Sequence, residues 1–287
     1  MEKKKSIISY NLINNEKVKE IENAHDRYIT NFRHYLDNIN KRDLILSISD
    51  QDNNLKIWNN SDWKCLLNIK NINNSGDLDS ACILNNNNQL YILTSNESRD
   101  SESIKVYDFN GNKIKEIKDS NNTTYFIDIY YDNKSFNNYI ITGNLGCVKS
   151  YNYDNNAIYH IYCDNDKTIH SSIVINDNNK QINLIESSYD GNMRVWNFHS
   201  GILLNKIKIS DDRLYGICLW DKDYLFVGSR DKTMKLIDIK NGIIIKSLTE
   251  HNSYVFTIKK IKLPKHGECL ISQGPFNCNS IKLWNIE

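Results

Sequence analysis

A five-residue segment returns along this chain in nearly the same form. LKIWN ends near Trp58, IKVYD covers Tyr107, VKSYN covers Tyr151, MRVWN covers Trp196, MKLID covers Ile237 and IKLWN covers Trp284. A weaker copy, IISYN, covers Tyr10. Successive anchors lie 41 to 49 residues apart. The stretch Ser187 to Gly201 shows what the unit is. Asp190-Gly191-Asn192 is a tight-turn signal between Ser187-Ser188 and the alternating run Met193 to Trp196, so it reads as a hairpin. A hairpin this small cannot bury its own apolar face. Tandem copies must therefore cover one another.

Each copy divides into an outer strand, a loop, an inner strand, a middle strand, a turn and the anchor strand. Outer strands are predicted over Lys17 to Ile21, Cys65 to Ile69, Ile114 to Ile117, Ile158 to Tyr162, Leu203 to Ile207 and Ile243 to Leu248. Inner strands include Tyr125 to Tyr130, Ser172 to Ile175, Leu214 to Trp220 and Tyr254 to Ile261. Middle strands such as LILSIS, YIIT and YLFVGS are almost continuously apolar, which suits strands covered on both faces. The Asn runs between them, such as Asn85 to Asn88, read as loops.

A period near 40–45 closed by an aromatic belongs to four-stranded propeller blades. On these segments the chain resembles the WD-repeat (WD40) family of β-propellers, over nearly its whole length. The resemblance implies an all-β fold in a single domain, 1–287, with N-terminal strands in 1–22 closing the ring and six repeats in 23–287. Six full blades are expected. The sequence runs out just past Trp284, so Lys17 to Ile21 is expected to complete the last blade beside Ile281 to Trp284, because closure removes exposed sheet edges. The alternative is a seven-position ring with a truncated first blade, in which Ile7 to Tyr10 is an anchor strand without its two inner partners.

In the WD family a loop His, a middle-strand Ser or Thr, a turn Asp and the anchor Trp often tie each blade together. By resemblance these structural ties are His25, Ser47, Asp52 and Trp58 in the first repeat. In the fourth they are Ser187 or Ser188 with Asp190 and Trp196; in the fifth, Ser229 and Asp231; in the sixth, His251, Ser272 and Trp284, with Cys278 near the expected Asp. In the three Trp repeats the anchor is followed by Asn59, Asn197 and Asn285, so the Trp-Asp pattern of members that dock onto a ubiquitin-ligase adaptor is missing. The phosphoinositide-binding branch carries Phe-Arg-Arg-Gly; this chain has Asn31-Phe32-Arg33-His34 instead, with a single Arg on a different part of a blade, which disfavours lipid phosphate.

In a propeller, residues at the start of the inner strands ring the channel entrance. Here these are Tyr28, Tyr125, His170, Tyr215 and Tyr254, with Arg27 and Arg213 flanking two of them. Tyr and Arg are enriched at protein interfaces, so these residues form the expected partner-binding rim.

Composition narrows the function. The net charge of +1 offers no global field for nucleic acid or an anionic membrane. No apolar run is long enough for a signal peptide or a membrane span, so a cytoplasmic or nuclear protein is expected. The 7 cysteines are scattered without a CxxC pair, which predicts reduced thiols and no zinc site. GxGxxG, GxxxxGK[ST], HExxH and GxSxG are absent, and there are only 11 glycines to build phosphate-cradling loops. Asp79 and Asp128 are the only carboxylates placed near the channel mouth, too few for a hydrolase site. The expectation is a non-enzymatic scaffold without cofactor or metal, monomeric by itself within a larger complex, whose partners are other proteins. The alternatives are a fragmentary or purely structural propeller remnant and, third, a propeller hydrolase.

Overall fold

Apolar-polar alternation and closely spaced turn residues build strands throughout. The computed structural model describes residues 5–49, 53–70, 72, 77–97, 103–118, 124–176, 181–264, 267–274 and 281–286. Among them are 24 strands and no α-helix. The chain is all-β, and its successive antiparallel meanders are propeller-like.

Two compact units divide the chain, residues 1–140 and 141–287, with the division inside β12. The first unit opens with β1 (Ile7–Tyr10) and β2 (Lys17–Ile21), which pair as a two-stranded sheet. A four-stranded sheet follows in chain order: β3 (Ile29–Asp37), β4 (Arg42–Ser49), β5 (Asn54–Asn59) and β6 (Cys65–Ile69). The next holds β7 (Asp77–Asn86), β8 (Gln89–Glu97), β9 (Ser103–Asp108) and β10 (Lys113–Lys118). Leu44, Leu46, Leu55 and Ile57 of the one pack with Leu78, Ala81, Leu90 and Ile92 of the other in one core.

A seven-stranded sheet then runs in order through β11 (Phe126–Asp132), β12 (Asn137–Gly143), β13 (Leu145–Asn152), β14 (Ile158–Asn176), β15 (Ile182–Ser188), β16 (Asn192–Asn197) and β17 (Leu203–Lys208). It is two four-stranded meanders sharing β14. The sequence predicts two strands there, Ile158 to Tyr162 and Ser172 to Ile175; the structure joins them into 19 residues. The first half pairs with β13 and the second with β15. Gly146 makes the join possible, since at φ 78 it bulges where a Cβ would collide with the Asn165 carbonyl. The second unit continues with the four-stranded sheet β18 (Leu214–Leu219), β19 (Tyr224–Ser229), β20 (Met234–Asp238) and β21 (Ile243–Leu248). Last comes a three-stranded sheet, β22 (Thr257–Leu263), β23 (Gly267–Gln273) and β24 (Ile281–Asn285). Middle strand β19, YLFVGS, is buried from its second residue on, as its apolar run predicts. Asp190-Gly191-Asn192 makes the expected tight turn, with Gly191 at φ 79.

Two expectations are corrected here. Six full blades are not what the sheets show: among the described residues four sheets have four or more strands, and the last repeat has three. Among the described residues Lys17–Ile21 is not paired with Ile281–Asn285. It pairs with Ile7–Tyr10, Ile7 opposite Ile21. The physical reason is local. A short loop brings the two strands together at small entropic cost, and the pairing buries Ile7 beside Ala24 and Trp58.

Register explains how each sheet is tied. Trp58 lies opposite Ile45, so Ser47, two residues along, shares its face. The indole Nε1 donates to Ser47 Oγ at 2.8 Å, and Oγ lies 2.8 Å from His25 Nε2. The sixth repeat repeats this: Trp284 lies opposite Leu270, and Ser272 Oγ is 2.6 Å from both Trp284 Nε1 and His251 Nε2. Asp52 and Cys278 lie outside the described residues, as does the side chain of Asp79.

Ser47→Ala leaves two buried nitrogens without their partner. It is expected to lower stability by about 2–4 kcal/mol, read as a drop in the urea midpoint. Ser61→Ala, on an exposed turn, should change it by less than about 0.5 kcal/mol.

Candidate functional site

The rim residues predicted in the second unit come together. The Tyr215 ring centroid lies 5.1 Å from His170, 5.3 Å from Tyr254, 5.4 Å from Tyr189 and 5.2 Å from Phe256. His170 is 4.7 Å from Phe256 and 5.9 Å from Tyr189. Arg213 stacks its guanidinium 4.8 Å above Tyr189. Each ring is delivered from a strand mouth: His170 from within β14, Tyr189 from the turn after β15, Tyr215 from β18, and Tyr254 and Phe256 from the segment entering β22. That segment is not strand, so the inner strand predicted from Tyr254 starts at Thr257 instead. The backbone explains why: Val255 N donates to Ser229 O and Phe256 N to Gln273 O, holding 254–256 as a crossing rather than a ladder.

Tyr215 is buried at the centre, while Tyr189, Tyr254 and Phe256 are half-buried and Arg213 is exposed. His170 Nδ1 is shut away without a hydrogen-bond partner, and burial pushes the ring's pKa down to about 4, so it is neutral at pH 7. Edge-to-face and stacked rings at these distances form a stiff apolar plate with hydroxyls and one guanidinium at its margin. Sequence reasoning missed Tyr189 and Phe256. The first sits between the serines and the turn Asp, the second two residues beyond Tyr254. Of the other predicted rim residues, Arg27 and Tyr28 stand exposed before β3 in the first unit, and Tyr125 precedes β11. Asp128 there accepts from Ile129 N and faces Arg33 at 3.9 Å.

The second group of interest replaces a tie. Trp196 lies opposite Leu184, so the residue two along is Glu186, not Ser187 or Ser188. Ser187 Oγ donates instead to Tyr215 O at 2.5 Å, and Ser188 Oγ receives Asp190 N. Trp196 Nε1 is buried without a partner. Around Glu186 stands an ion cluster centred on fully buried Arg194. Arg194 Nε donates to Asp164 at 2.7 Å, Nη2 to Asp190 and Nη1 to Glu186 at 3.4 Å; Lys206 pairs with Asp164 at 2.7 Å. Burial works against ionisation of Asp190, yet the Arg194 hydrogen bond holds it down to about 2. Lys206 and Arg194 together lower Asp164. Two cations then balance two carboxylates, leaving Glu186 in excess. Its Oε2 is buried without a partner, and burial pushes its pKa up to about 8. Asp231 of the fifth repeat likewise turns from the anchor, pairing with Lys235 at 2.5 Å and accepting from Ser210, which receives Ser229 Oγ.

Arg194 belongs to a series the sequence reading passed over. Lys56, Lys105, Lys149, Arg194, Lys235 and Lys282 each stand two residues before an anchor. Lys56 reaches Ala24 O at 2.6 Å, next to His25, and Lys282 faces Glu250 at 3.7 Å, next to His251. Their ammonium groups lie 5.6 and 5.8 Å from the anchor indole centroids. The constant Lys or Arg in LKIW, IKVY and MRVW was the available signal. Among the described residues no three His, Cys, Asp or Glu side chains gather as a metal site, and no helix is long and apolar enough to cross a membrane.

Glu186 keeps its proton in the fold up to about pH 8, whereas an unfolded glutamate releases it near 4.5. The fold therefore binds the extra proton between these values, and this group's contribution to stability declines as pH rises through that window. Glu186→Gln, a mimic of the protonated acid, should remove the decline. The stability gap between variant and wild type is expected to widen in the variant's favour from pH 5 to pH 8, measured by urea melts. A gap independent of pH would show Glu186 to be ionised.

No protein-family model matches the chain, and no curated protein sequence does, so the WD-type resemblance rests on the repeat, register and ties above.

Proposed function

We propose that this chain is a WD-type β-propeller platform that binds other proteins and catalyses no reaction. The observation that carries the proposal is the aromatic plate of His170, Tyr189, Tyr215, Tyr254 and Phe256 with Arg213 at its margin. Rigid aromatic area with hydrogen-bonding edges gives contact at low entropic cost, which is how protein interfaces concentrate their energy. A neutral His enclosed by rings suits packing better than proton transfer.

The WD reading is supported by the His–Ser–Trp ties in two repeats and by four-stranded meanders in chain order. The pairing of β1 with β2 favours the seven-position alternative, in which these two are the anchor and outer strands of a truncated first blade. A partner reads the plate from its wet side, through Tyr254 and Arg213, and the chain acts inside an assembly by holding that surface still.

Replacing Arg213 by Glu and Tyr254 by Ala together should reduce quantitative affinity capture of specific partners by at least about tenfold with an unchanged melting curve. Lys64→Glu, on an exposed turn elsewhere, should leave capture as it was. Capture equal to wild type in the double variant would sink the reading.

A further inference from the structure

The hairpin of β13 and β14 sets two cysteines face to face. Cys147 lies directly opposite Cys163, and both are thiols. The register is pinned from the turn onward. Asn152 Oδ1 accepts from Asp154 N at 2.9 Å and from Asn155 N at 3.3 Å, and Asn156 takes the left-handed φ of 61. Val148 then lies opposite Tyr162, a fully buried ring whose hydroxyl donates to Phe198 O at 2.7 Å. Beyond the cysteines the ladder breaks. The next pair is Leu145 with Thr168, so Asp164 to Lys167 bulge opposite Gly146. The other described cysteines stand opposite other residues: Cys65 faces Trp58, Cys82 faces Leu93, Cys218 faces Phe226 and Cys269 faces Ile261. Within the pair exposure differs, for Cys147 is buried and Cys163 is exposed.

We propose that Cys147 and Cys163 form a peroxide-responsive thiol pair that closes reversibly into a disulfide across β13 and β14. Residues directly opposite in an antiparallel pair hold their Cβ atoms on one face, about 4.5–5.5 Å apart. A disulfide needs about 3.5–4.5 Å. The strands must draw together by about 1 Å. The pair is the last rung before a bulge, so no adjoining rung resists that movement on one side. Exposure sets the order of events. Cys163 gives up its proton, its thiolate sulfur attacks one oxygen of hydrogen peroxide, and the O–O bond breaks. The departing hydroxide takes up that proton and leaves as water, and Cys163 is a sulfenic acid. The Cys147 sulfur, held opposite, attacks the Cys163 sulfur. The S–S bond forms, the S–O bond breaks, and the hydroxyl leaves with the Cys147 proton as a second water. Each cysteine sulfur loses one electron and the peroxide gains two. A dithiol reductant restores both thiols by exchange. The link fastens the base of the bulge that carries Asp164, the partner of Arg194 and Lys206.

The test treats the folded, reduced full chain with hydrogen peroxide and reads its peptides by mass spectrometry without reduction. A crosslink is expected between the peptides carrying Cys147 and Cys163, lighter than their sum by two hydrogen atoms, within a single chain and lost on adding dithiothreitol. With dimedone present, Cys147→Ser should carry a sulfenic-acid adduct at Cys163 that wild type lacks, because no thiol stands opposite to consume it. Cys147→Ala serves as a second variant should the serine melt early. Cys65→Ser, at an exposed thiol opposite Trp58, should leave the link intact. Three results would each overturn the proposal. One is Cys163 carried to sulfinic acid in the folded wild type with no link formed. Another is a link from Cys163 to a different cysteine or to a second chain. The third is a link that forms only in urea.

Discussion

Strand side chains alternate, so pairing Trp58 with Ile45 and Trp284 with Leu270 brings a serine under each indole. That serine is a small hydroxyl able to serve two nitrogens at once, the indole N–H and a loop imidazole. The tie joins three chain segments in one repeat: the loop before the inner strand, the middle strand and the anchor strand. Slip the register by one residue and the serine points to the opposite face, the indole N–H is stranded, and the loop loses its hold. The cation two residues before the anchor works beside the tie. Lys56 and Lys282 cover the indoles and reach toward the same loops.

The fourth repeat shows what happens when the serine is replaced. Glu186 occupies its place, Arg194 replaces the lysine, and Asp164 of β14 accepts from Arg194 Nε. A bridged hydroxyl becomes a buried ion cluster with one carboxyl in excess. Such clusters cost desolvation and are worth retaining only if their members are satisfied. Here Trp196 Nε1 and Glu186 Oε2 are not. The repeat is held in other ways, by Tyr162 donating to Phe198 O at 2.7 Å and by the ring contacts of Tyr162 with Trp196 and Phe198.

One surface follows directly from this architecture. Strand mouths crowd aromatic side chains from consecutive sheets into a plate, because inner strands begin close together and Tyr is abundant at their starts. Sheet edges are covered wherever an outer strand follows its anchor. Among the described residues β24 pairs with β23 alone.

The sequence alone determined the repeat, its strands and their kinds. Lys17–Ile21, Cys65–Ile69, Tyr224–Ser229, Met234–Asp238 and Ile243–Leu248 fall where period and turn residues place them, because these signals act over a few neighbours. It also identified His25, Ser47, Trp58, His251, Ser272 and Trp284 as ties, and it placed His170, Tyr215, Tyr254 and Arg213 in one rim together with Arg27, Tyr28 and Tyr125. It did not distinguish Ser187 or Ser188 from Glu186 as the residue beside Trp196, nor reveal Tyr189 and Phe256 in the plate. The merging of two strands into β14 and the partner of β2 were also hidden. Those are matters of register and of which strand meets which. They are decided by contacts between residues far apart in the chain, where burial of Ile7, or a bulge at Gly146, outweighs any local preference.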